Sequence, residues 1–140
     1  MTLYNGISTL LLVMFCSIPK LMTQKITPEQ VVQKQLEAYN QRNIEAFMSV
    51  MAPDVTFHDF SDGIQTITGK KECRRFYSAL FEASPSLYST IITHTVFGNK
   101  VIDHESITGR NGNKQVLELV LIYEVQNEKI FKVTVLKKEE

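Results

Sequence analysis

The chain has 140 residues, and its 15 lysines and arginines balance 15 aspartates and glutamates. This length fits one domain with a substantial hydrophobic core. The balanced charge gives no field to attract nucleic acid or an anionic membrane, and no RNA-binding motif is present, so we expect no nucleic-acid partner. The two cysteines, Cys16 and Cys73, exclude a disulfide framework, and no Cys/His spacing predicts a metal site, so we expect neither metal nor cofactor.

The first 24 residues are predicted to be a signal peptide or an N-terminal extension. Residues 7–18 form an apolar run that is too short for an ordinary membrane-spanning helix but suits the hydrophobic part of a signal peptide. Residues 1–6 lack Lys and Arg, and no Ala-x-Ala cleavage site follows, so the alternative is an extra helix packed on the domain or on a partner. The first interpretation predicts a periplasmic or secreted protein without a stable membrane span, and the second leaves it in the cytoplasm.

Two helices are predicted to open the domain. Thr27 suits an N-cap, Pro28 suits the first turn, and Gln30 completes a capping box, after which apolar positions mark one broad helical face. Asn43 is expected to cap a short second helix over residues 44–51, whose apolar side chains turn inward.

Residues 53–60 are predicted to form a short strand that brings a carboxylate into the interior. Val55, Phe57 and Asp59 occupy alternate positions, so Asp59 shares the inward face with the two apolar residues. A carboxylate is costly in an apolar interior, and desolvation raises its pKa, which makes Asp59 a candidate general base or acid. The alternative is a strand-end carboxylate paired with a nearby Lys or Arg. A turn and a second short strand over residues 64–68 follow.

The most regular helix is predicted over residues 69–83. Lysines and arginines occupy its solvent side, and apolar residues recur on the other side at the spacing of one helical face. Cys73 lies on that apolar side, so we expect it to be a buried core thiol. The apolar face comprises Cys73, Phe76, Tyr77, Leu80 and Phe81.

From residue 87 onward the apolar pattern changes to a period of two. The four long strands predicted from it cover residues 88–97, 100–108, 114–125 and 129–137. Their short connections force an antiparallel meander. Helices followed by such a sheet predict an α+β fold, with three N-terminal helices packed in the concave face of a curved antiparallel sheet and a pocket between the two layers.

The third long strand is apolar on both of its faces. The face expected to point inward comprises Leu117, Leu119, Leu121 and Tyr123. The opposite face comprises Val116, Glu118, Val120, Ile122 and Glu124. This second face is too apolar for open solvent, which indicates a homodimer formed through the sheet.

The run from residue 30 to residue 59 resembles the nuclear transport factor 2-like superfamily, and more narrowly its SnoaL-like and ketosteroid-isomerase-like branch. The similar features are a helix ending in Ala-Tyr-Asn, a helix opening with Asn-Ile-Glu-Ala-Phe, and the strand Met-Ala-Pro-Asp-Val-Thr-Phe-His-Asp. Residues 68–70 and 101–109 extend the resemblance over a SnoaL-like domain at 27–137. It implies a cone-shaped sheet wrapped on three helices, a deep apolar pocket and frequently a homodimer.

The resemblance implies that the catalytic Asp of the family's isomerases falls at Asp59. The Tyr and the second Asp of those enzymes fall at Gln35 and Leu121, so two of three catalytic positions depart and an enolate would lack its expected stabilisers. Gln35 can still donate one hydrogen bond. The aromatic residues expected either in the core or as walls of the pocket are Tyr39, Phe57 and Tyr77.

Other branches that this chain resembles pair an Asp with a pocket His, which makes His94 the candidate partner of Asp59. His94 shares a predicted strand face with Tyr88, Ile92 and Val96, and we expect it to point inward. An Asp–His pair in a dry pocket abstracts and returns a proton, as isomerisation or elimination requires.

Asp103, His104 and Glu105 form a second candidate centre. Neighbouring side chains of a strand point to opposite faces, so one of His104 and Glu105 faces inward, and the pattern leaves open which one it is. Glu105 is a candidate ligand-binding residue on this basis.

These features predict a small-molecule pocket domain, a cofactor-free isomerase, cyclase or lyase that uses Asp59 as proton shuttle on a small apolar substrate. The alternative is a non-catalytic domain that binds an apolar ligand or dimerises. An open pocket that contains both Asp59 and His94 favours catalysis, whereas Asp59 in a surface ion pair favours the alternative.

Overall fold

The computed structural model describes residues 24–138, which form three α-helices, one short 3-10 helix and one sheet of six strands. Most of the predicted export segment, residues 1–23, lies outside the described residues. The elements are α1 (Pro28–Gln41), α2 (Ile44–Ser49), β1 (Met51–Asp59), β2 (Gln65–Thr68), α3 (Gly69–Ala83), β3 (Tyr88–Phe97), β4 (Lys100–Thr108), β5 (Leu117–Gln126) and β6 (Lys129–Lys137). The architecture is the expected α+β fold, a curved sheet packed on three helices.

The helix starts follow the sequence signals. Thr27 and Gln30 form the reciprocal capping box at the start of α1, and the Asn43 side chain accepts a hydrogen bond from Ala46 at the start of α2. The second helix was predicted to continue to residue 51, and this is wrong. It stops at Ser49, and Pro53 lies inside β1, where the pairing with β6 is irregular and the missing N–H of a proline is tolerated.

The strands are ordered β2-β1-β6-β5-β4-β3 across the sheet. Strands β3 to β6 form the predicted antiparallel meander. The expectation of a wholly antiparallel sheet is wrong, because β1 pairs with β6 in parallel. No short turn joins these two strands, so chain connectivity does not force them to be antiparallel. The parallel pair places the end of β1 beside the end of β6, where a cavity opens.

The connection between β4 and β5 contains a one-turn 3-10 helix, Arg110–Gly112, and β5 starts at Leu117, three residues later than predicted. Gly109 has φ of 71° and lies so close to the backbone of Ser86 that a Cβ atom would be 2.2 Å from its carbonyl oxygen. The backbone N–H of Asn111 donates to Ser84 Oγ at 2.8 Å, which attaches the turn to the end of α3. The turn fixes the position of Arg110 at the edge of the interior.

A bulge in β3 changes which residues of that strand face inward. The register with β4 shifts between Ile91 and Thr93, so the inward positions before the bulge are out of phase with His94 after it. Tyr88, which was grouped with His94, instead points outward and is 56% exposed. His94 lies opposite the buried Asp103 of β4, on the helix side of the sheet, but it is not buried as expected, since its side chain is 36% exposed.

The core lies between the helices and the inner face of the sheet. Aromatic rings from the helices form its centre, with the rings of Phe47 and Tyr77 separated by 4.3 Å between centroids. Tyr39 and Phe81 pack edge to face at 5.7 Å. Cys73 is buried in this core as predicted, and burial raises the pKa of its thiol to about 12. This packed layer forms the apolar walls of the cavity described next.

Candidate active site

A cavity of about 340 Å³ lies between the helices and the inner face of the sheet. We call it the main cavity. Its volume is in the range of pockets that hold small molecules. Its apolar walls are formed by Tyr39, Phe47, Phe57, Phe76, Tyr77, Ile107, Leu117, Leu119, Leu121, Val133 and Val135. Polar groups occur at two places, one deep inside and one at the mouth.

Seven of the eight site residues predicted from sequence line the main cavity. They are Gln35, Tyr39, Phe57, Asp59, Tyr77, Glu105 and Leu121. The eighth, His94, lies elsewhere. The alternation along β1, β4 and β5 placed most of these residues correctly, because each strand keeps one face toward the helices.

Glu105 is the carboxylate of the inner end. It is only 3% exposed, which settles the alternative left open by the sequence, since His104 points to the other face and lies 3.6 Å from Glu118. Ser89 Oγ donates to one oxygen of Glu105 at 2.7 Å, and Tyr123 Oη donates to the other at 3.0 Å. Burial raises the pKa of Glu105, and the two donated hydrogen bonds oppose that rise.

Arg110 and Tyr39 form a second polar group in the wall of the main cavity, and Arg110 is only partly buried. Arg110 Nη1 donates a long hydrogen bond of 3.4 Å to Tyr39 Oη. Burial raises the pKa of Tyr39, and the neighbouring guanidinium opposes the rise. One helical turn before Tyr39, Gln35 is 5% exposed, and its side-chain oxygen has no hydrogen-bond partner within residues 24–138. The inner end therefore has unused polar capacity inside an apolar cavity.

Asp59 lies at the mouth, at the end of β1. Its Oδ1 accepts hydrogen bonds from the backbone and hydroxyl of Ser61 at 3.0 and 2.6 Å, and its Oδ2 lies 3.1 Å from Lys137 Nζ. The bonds from Ser61, and then Lys137, hold the pKa of Asp59 at about 2. The expectation that desolvation raises this pKa is wrong, because the strand ends here beside a polar turn and a lysine. A carboxylate of such low pKa is a weak base at neutral pH.

His94 lies in a separate, smaller cavity of about 220 Å³ between α1 and strands β3 and β4. Its Nδ1 is 2.5 Å from Asp103 Oδ1, and its Nε2 is 3.3 Å from Glu29 Oε1. The hydrogen bond with Asp103 is the main cause of the raised pKa of His94. The expected Asp59–His94 pair does not form, because three strands separate β1 from β3 in the sheet and the two residues line different cavities.

Sequence reasoning missed Arg110, Lys137 and the hydrogen bond between Tyr123 and Glu105. Arg110 belongs to a turn, where no periodic pattern assigns a direction to a side chain. Lys137 continues the inward alternation of Val133 and Val135, so its place near the cavity could have been found from the strand pattern. The Tyr123–Glu105 contact depends on the register of β4 against β5, which the sequence pattern did not provide.

The outer face of the sheet carries a second apolar surface, which we call the outer patch. It comprises Ile102, Val120, Ile122 and Leu136, all partly exposed. Ile102 is paired with Ile122, and Val120 with Leu136, so the four side chains are neighbours across three strands. Residues 24–138 contain no group of three His, Cys, Asp or Glu side chains arranged to hold a metal ion. No helix within the same residues is long and apolar enough to cross a membrane.

The sequence matches a known protein family. The family is described as the SnoaL-like domain, and the match covers residues 32–133. No curated protein matches the chain.

Solved structures share the fold at low sequence identity. An uncharacterised cystatin-fold protein from Novosphingobium aromaticivorans has a TM-score of 0.72 at 20% identity, over 79% of this chain and 98% of its own. A protein with a ketosteroid isomerase-like fold from Catenulispora acidiphila, in complex with trimethylamine, has a TM-score of 0.64 at 19% identity, over 79% and 85%. An LEH-like epoxide hydrolase of M. tuberculosis has a TM-score of 0.69 at 11% identity, over 79% of this chain and 82% of its own. These similarities show the fold, which hosts unrelated functions.

Proposed function

Because the chain belongs to the SnoaL-like domain family, we propose that it binds a small, mainly apolar molecule in the main cavity and moves a proton on it without a cofactor. The reaction class is that of an isomerase, cyclase or lyase. The observation that carries this proposal is Glu105, a carboxylate only 3% exposed that lines an apolar cavity. A fold has no structural need for such a group, since an apolar side chain of similar size fills an interior at lower cost.

Glu105 has the properties of a proton shuttle. A group that takes and returns protons works best when its pKa lies near the working pH, and burial moves the pKa of Glu105 upward in that direction. The donors Ser89 and Tyr123 hold the carboxylate in one orientation, and each carboxylate oxygen keeps a free lone pair for a substrate proton.

The sequence assigned the shuttle to Asp59, and this assignment remains a second candidate. Asp59 lines the same cavity, but Ser61 and Lys137 hold its carboxylate in the ionised form. It can act as a strong base only after a ligand displaces Lys137 and the hydrogen bonds from Ser61. Because the two carboxylates have different surroundings, substitution of one at a time separates their roles.

Proton exchange on small ketones tests both assignments without knowledge of the natural substrate. The protein is incubated in D₂O with acetophenone and a panel of alicyclic ketones, and loss of the proton signals beside the carbonyl is followed by NMR. We expect Glu105→Gln to slow exchange by about 10²-fold or more and Asp59→Asn to retain most of it. Glu82→Gln, an exposed substitution on α3, is the matched control. Full exchange in Glu105→Gln rules out Glu105, and loss in Asp59→Asn alone returns the role to Asp59.

A non-catalytic binding domain is the alternative function, and the hydrogen bonding of both carboxylates favours it. Each oxygen of Glu105 already accepts a bond, and Asp59 is neutralised by Lys137. This alternative predicts that apolar ligands raise the unfolding temperature of the protein while no ketone exchanges its protons.

We propose that two chains associate through the outer patch. A contiguous apolar surface on a sheet face supports this, and its partial exposure in a single chain leaves it to be covered. Light scattering coupled to gel filtration is expected to give twice the mass of one chain, and Ile122→Glu is expected to give a single chain. A wild-type protein that stays a monomer at high concentration contradicts the proposal.

We propose that residues 1–24 direct export, as the apolar run in the sequence predicts. Expression of the whole chain in a secreting host, followed by N-terminal sequencing of the product, is expected to find a start near Lys25. A product that keeps Met1 and stays in the cytoplasm contradicts export.

A further inference from the structure

The two edges of the sheet differ in how much of their backbone is open. One edge is β2, a strand of 4 residues that leads directly into α3. The other edge is β3, a strand of 10 residues whose second half is exposed throughout. An edge strand presents unpaired N–H and C=O groups, which proteins usually shield with charged side chains, proline or a covering element. The sequence of β3 contains no proline, lysine, arginine, aspartate or glutamate.

The pairing of β3 with β4 shows which backbone groups face the free edge. A two-residue turn follows β3, so its closing pair, Phe97 and Lys100, is hydrogen-bonded. Hydrogen-bonded and non-hydrogen-bonded pairs alternate from there along the antiparallel ladder. His94 and Val96 therefore direct their N–H and C=O groups away from β4.

Helix α1 covers the beginning of this edge and leaves the rest open. The Asn40 side chain bonds to both the N–H and the C=O of Ser89, at 2.7 and 2.9 Å, as a neighbouring strand would. In the described part of the chain, side chains hydrogen-bond to the backbone of β3 only at Tyr88 and Ser89. The uncovered stretch comprises residues 92–97, and we call it the open edge.

The smaller cavity lies beside the open edge. It has a volume of about 220 Å³ between α1 and strands β3 and β4, and its apolar walls are Val32, Leu36 and Ile91. His94 and Ile91 line it from the edge strand itself. Neighbouring strands are about 4.8 Å apart. A strand added at the open edge would therefore place one of its inward-facing side chains next to this cavity.

The charges of the smaller cavity favour a cation. Asp103 is only 2% exposed, and in the described part of the chain the ion pairs of Asp103 and Glu29 both go to His94. When His94 is neutral, two negative charges remain there without a cation, and a buried unpaired carboxylate is costly. A lysine side chain suits this combination, because its alkyl stem packs on apolar walls while its ammonium group pairs with carboxylates.

We propose that the open edge binds an extended peptide segment of another protein as an added strand, with a lysine of that segment in the smaller cavity. Hydrogen bonds from the peptide backbone to His94 and Val96 supply affinity, and the contacts of the lysine with Glu29 and Asp103 supply specificity. Apart from the lysine, the segment carries uncharged residues, which match the uncharged sequence of the edge. This site is separate from the main cavity and does not rest on the proposed function.

The probe is a fluorescein-labelled heptapeptide amide, Thr-Val-Thr-Lys-Thr-Val-Thr, whose sequence reads the same in both directions. As a strand it presents the lysine and both valines on one face. In two matched peptides, norleucine or glutamate replaces the lysine. Fluorescence anisotropy is measured at pH 8.5, about two units above the ordinary pKa of histidine of about 6.5. We expect the lysine peptide to bind about tenfold more tightly than the norleucine peptide, and the glutamate peptide to bind weakest.

Substitutions separate the two parts of the site. Glu29→Gln and Asp103→Asn are each expected to remove most of the preference for lysine over norleucine. The side chain of Glu29 is 59% exposed, so its variant keeps the test valid if Asp103→Asn fails to fold. Val96→Pro removes one N–H that faces the free edge, and we expect it to weaken binding of the lysine and norleucine peptides about tenfold. Val96→Thr keeps that N–H and is expected to bind as wild type.

Amide hydrogen exchange followed by NMR locates the bound peptide. The N–H groups of His94 and Val96 are expected to exchange rapidly in the free protein and about tenfold more slowly with saturating lysine peptide. Glu82→Gln, an exposed substitution on α3, is the matched control and is expected to bind as wild type. If both amides exchange slowly before peptide is added, a second copy or another part of the chain already covers the edge, and the inference is wrong. Equal binding of the lysine and norleucine peptides, or binding of neither, also rules it out.

Discussion

Glu105 and Asp59 line one cavity and each accepts hydrogen bonds from two residues, yet their pKa values shift in opposite directions. Glu105 lies deep in the sheet, where its donors are the neutral hydroxyls of Ser89 and Tyr123 and burial dominates. Asp59 lies at a strand end, where Ser61 and the cation of Lys137 dominate. The surroundings of a carboxylate, more than its residue type, therefore decide whether it can take and return protons.

The largest effect is expected from Gly109→Ala, which disturbs the inner end and leaves the mouth intact. The new Cβ meets the carbonyl oxygen of Ser86, and the left-handed backbone is strained for alanine. We expect a loss of about 2 kcal/mol or more in the free energy of unfolding. Urea unfolding measures this loss. Gly63→Ala is the matched control, because its φ is also positive but a Cβ there has open space, and equal losses in both variants would show that the contact with Ser86 has no effect.

Tyr123→Phe is expected to increase the difference between the pKa values of Glu105 and Asp59. It removes one donor to the charged form of Glu105, so the pKa of Glu105 rises further while that of Asp59 stays low. A carboxylate whose pKa is raised by folding stabilises the folded protein at low pH. The free energy of unfolding of the wild type therefore falls as pH rises from about 4.3 through the folded pKa of Glu105, and that of the variant falls further. Urea unfolding of both proteins across this pH range measures the difference. Identical pH profiles for both proteins count against the role of Tyr123.

His94 is a titratable group that lies in the smaller cavity, away from the main cavity. Folding raises its pKa, mainly through Asp103, so the protonated form is stabilised in the folded protein. The resulting stability is fully present below the unfolded pKa of about 6.5 and is lost as pH rises through the folded value. His94→Gln is expected to flatten this part of the profile and to leave ketone exchange unchanged. If His94→Gln loses ketone exchange, His94 takes part in catalysis, as the sequence suggested.

Lys137→Gln is expected to give the smallest effect, because it changes the mouth alone. It removes the cation beside Asp59, so the pKa of Asp59 rises toward its ordinary value but stays below it through the bonds from Ser61. The unfolding temperature changes little, since the pair is exposed to solvent. NMR titration of the Asp59 carboxyl carbon measures the shift. An unchanged pKa in the variant shows that Lys137 has no part in holding Asp59 ionised.

Much of the fold follows from the apolar period of the sequence and from its turn and helix-capping residues. The bounds of α3, β3, β4 and β6 are those predicted, because clear changes of apolar period and tight turns mark them. The parallel pairing of β1 with β6 was missed, because it joins segments far apart in the chain. The bulge at residue 92 was missed as well, because no residue type marks it.

Site residues could be predicted where strand alternation sets the direction of the side chain. They could not be predicted where the conformation of a turn or the register between strands sets it. Phe57, Leu121 and Asp59 were placed at the cavity by alternation alone. The pKa direction of Asp59 was wrong because it depends on Ser61 and Lys137, one from a turn and the other from the last strand. Arg110 could not be found for the same reason, since its direction is set by the fold of its turn.

The most direct test of the contrast between the two carboxylates is a carbon-13 NMR titration of protein labelled at the carboxyl groups of Asp and Glu. Signals are assigned with Glu105→Gln and Asp59→Asn. We expect Glu105 to titrate above the ordinary value for glutamate of about 4.3 and Asp59 to titrate at about 2. A Glu105 that titrates at or below its ordinary value, or an Asp59 that titrates above it, would contradict the assignment of proton transfer to the inner end of the cavity.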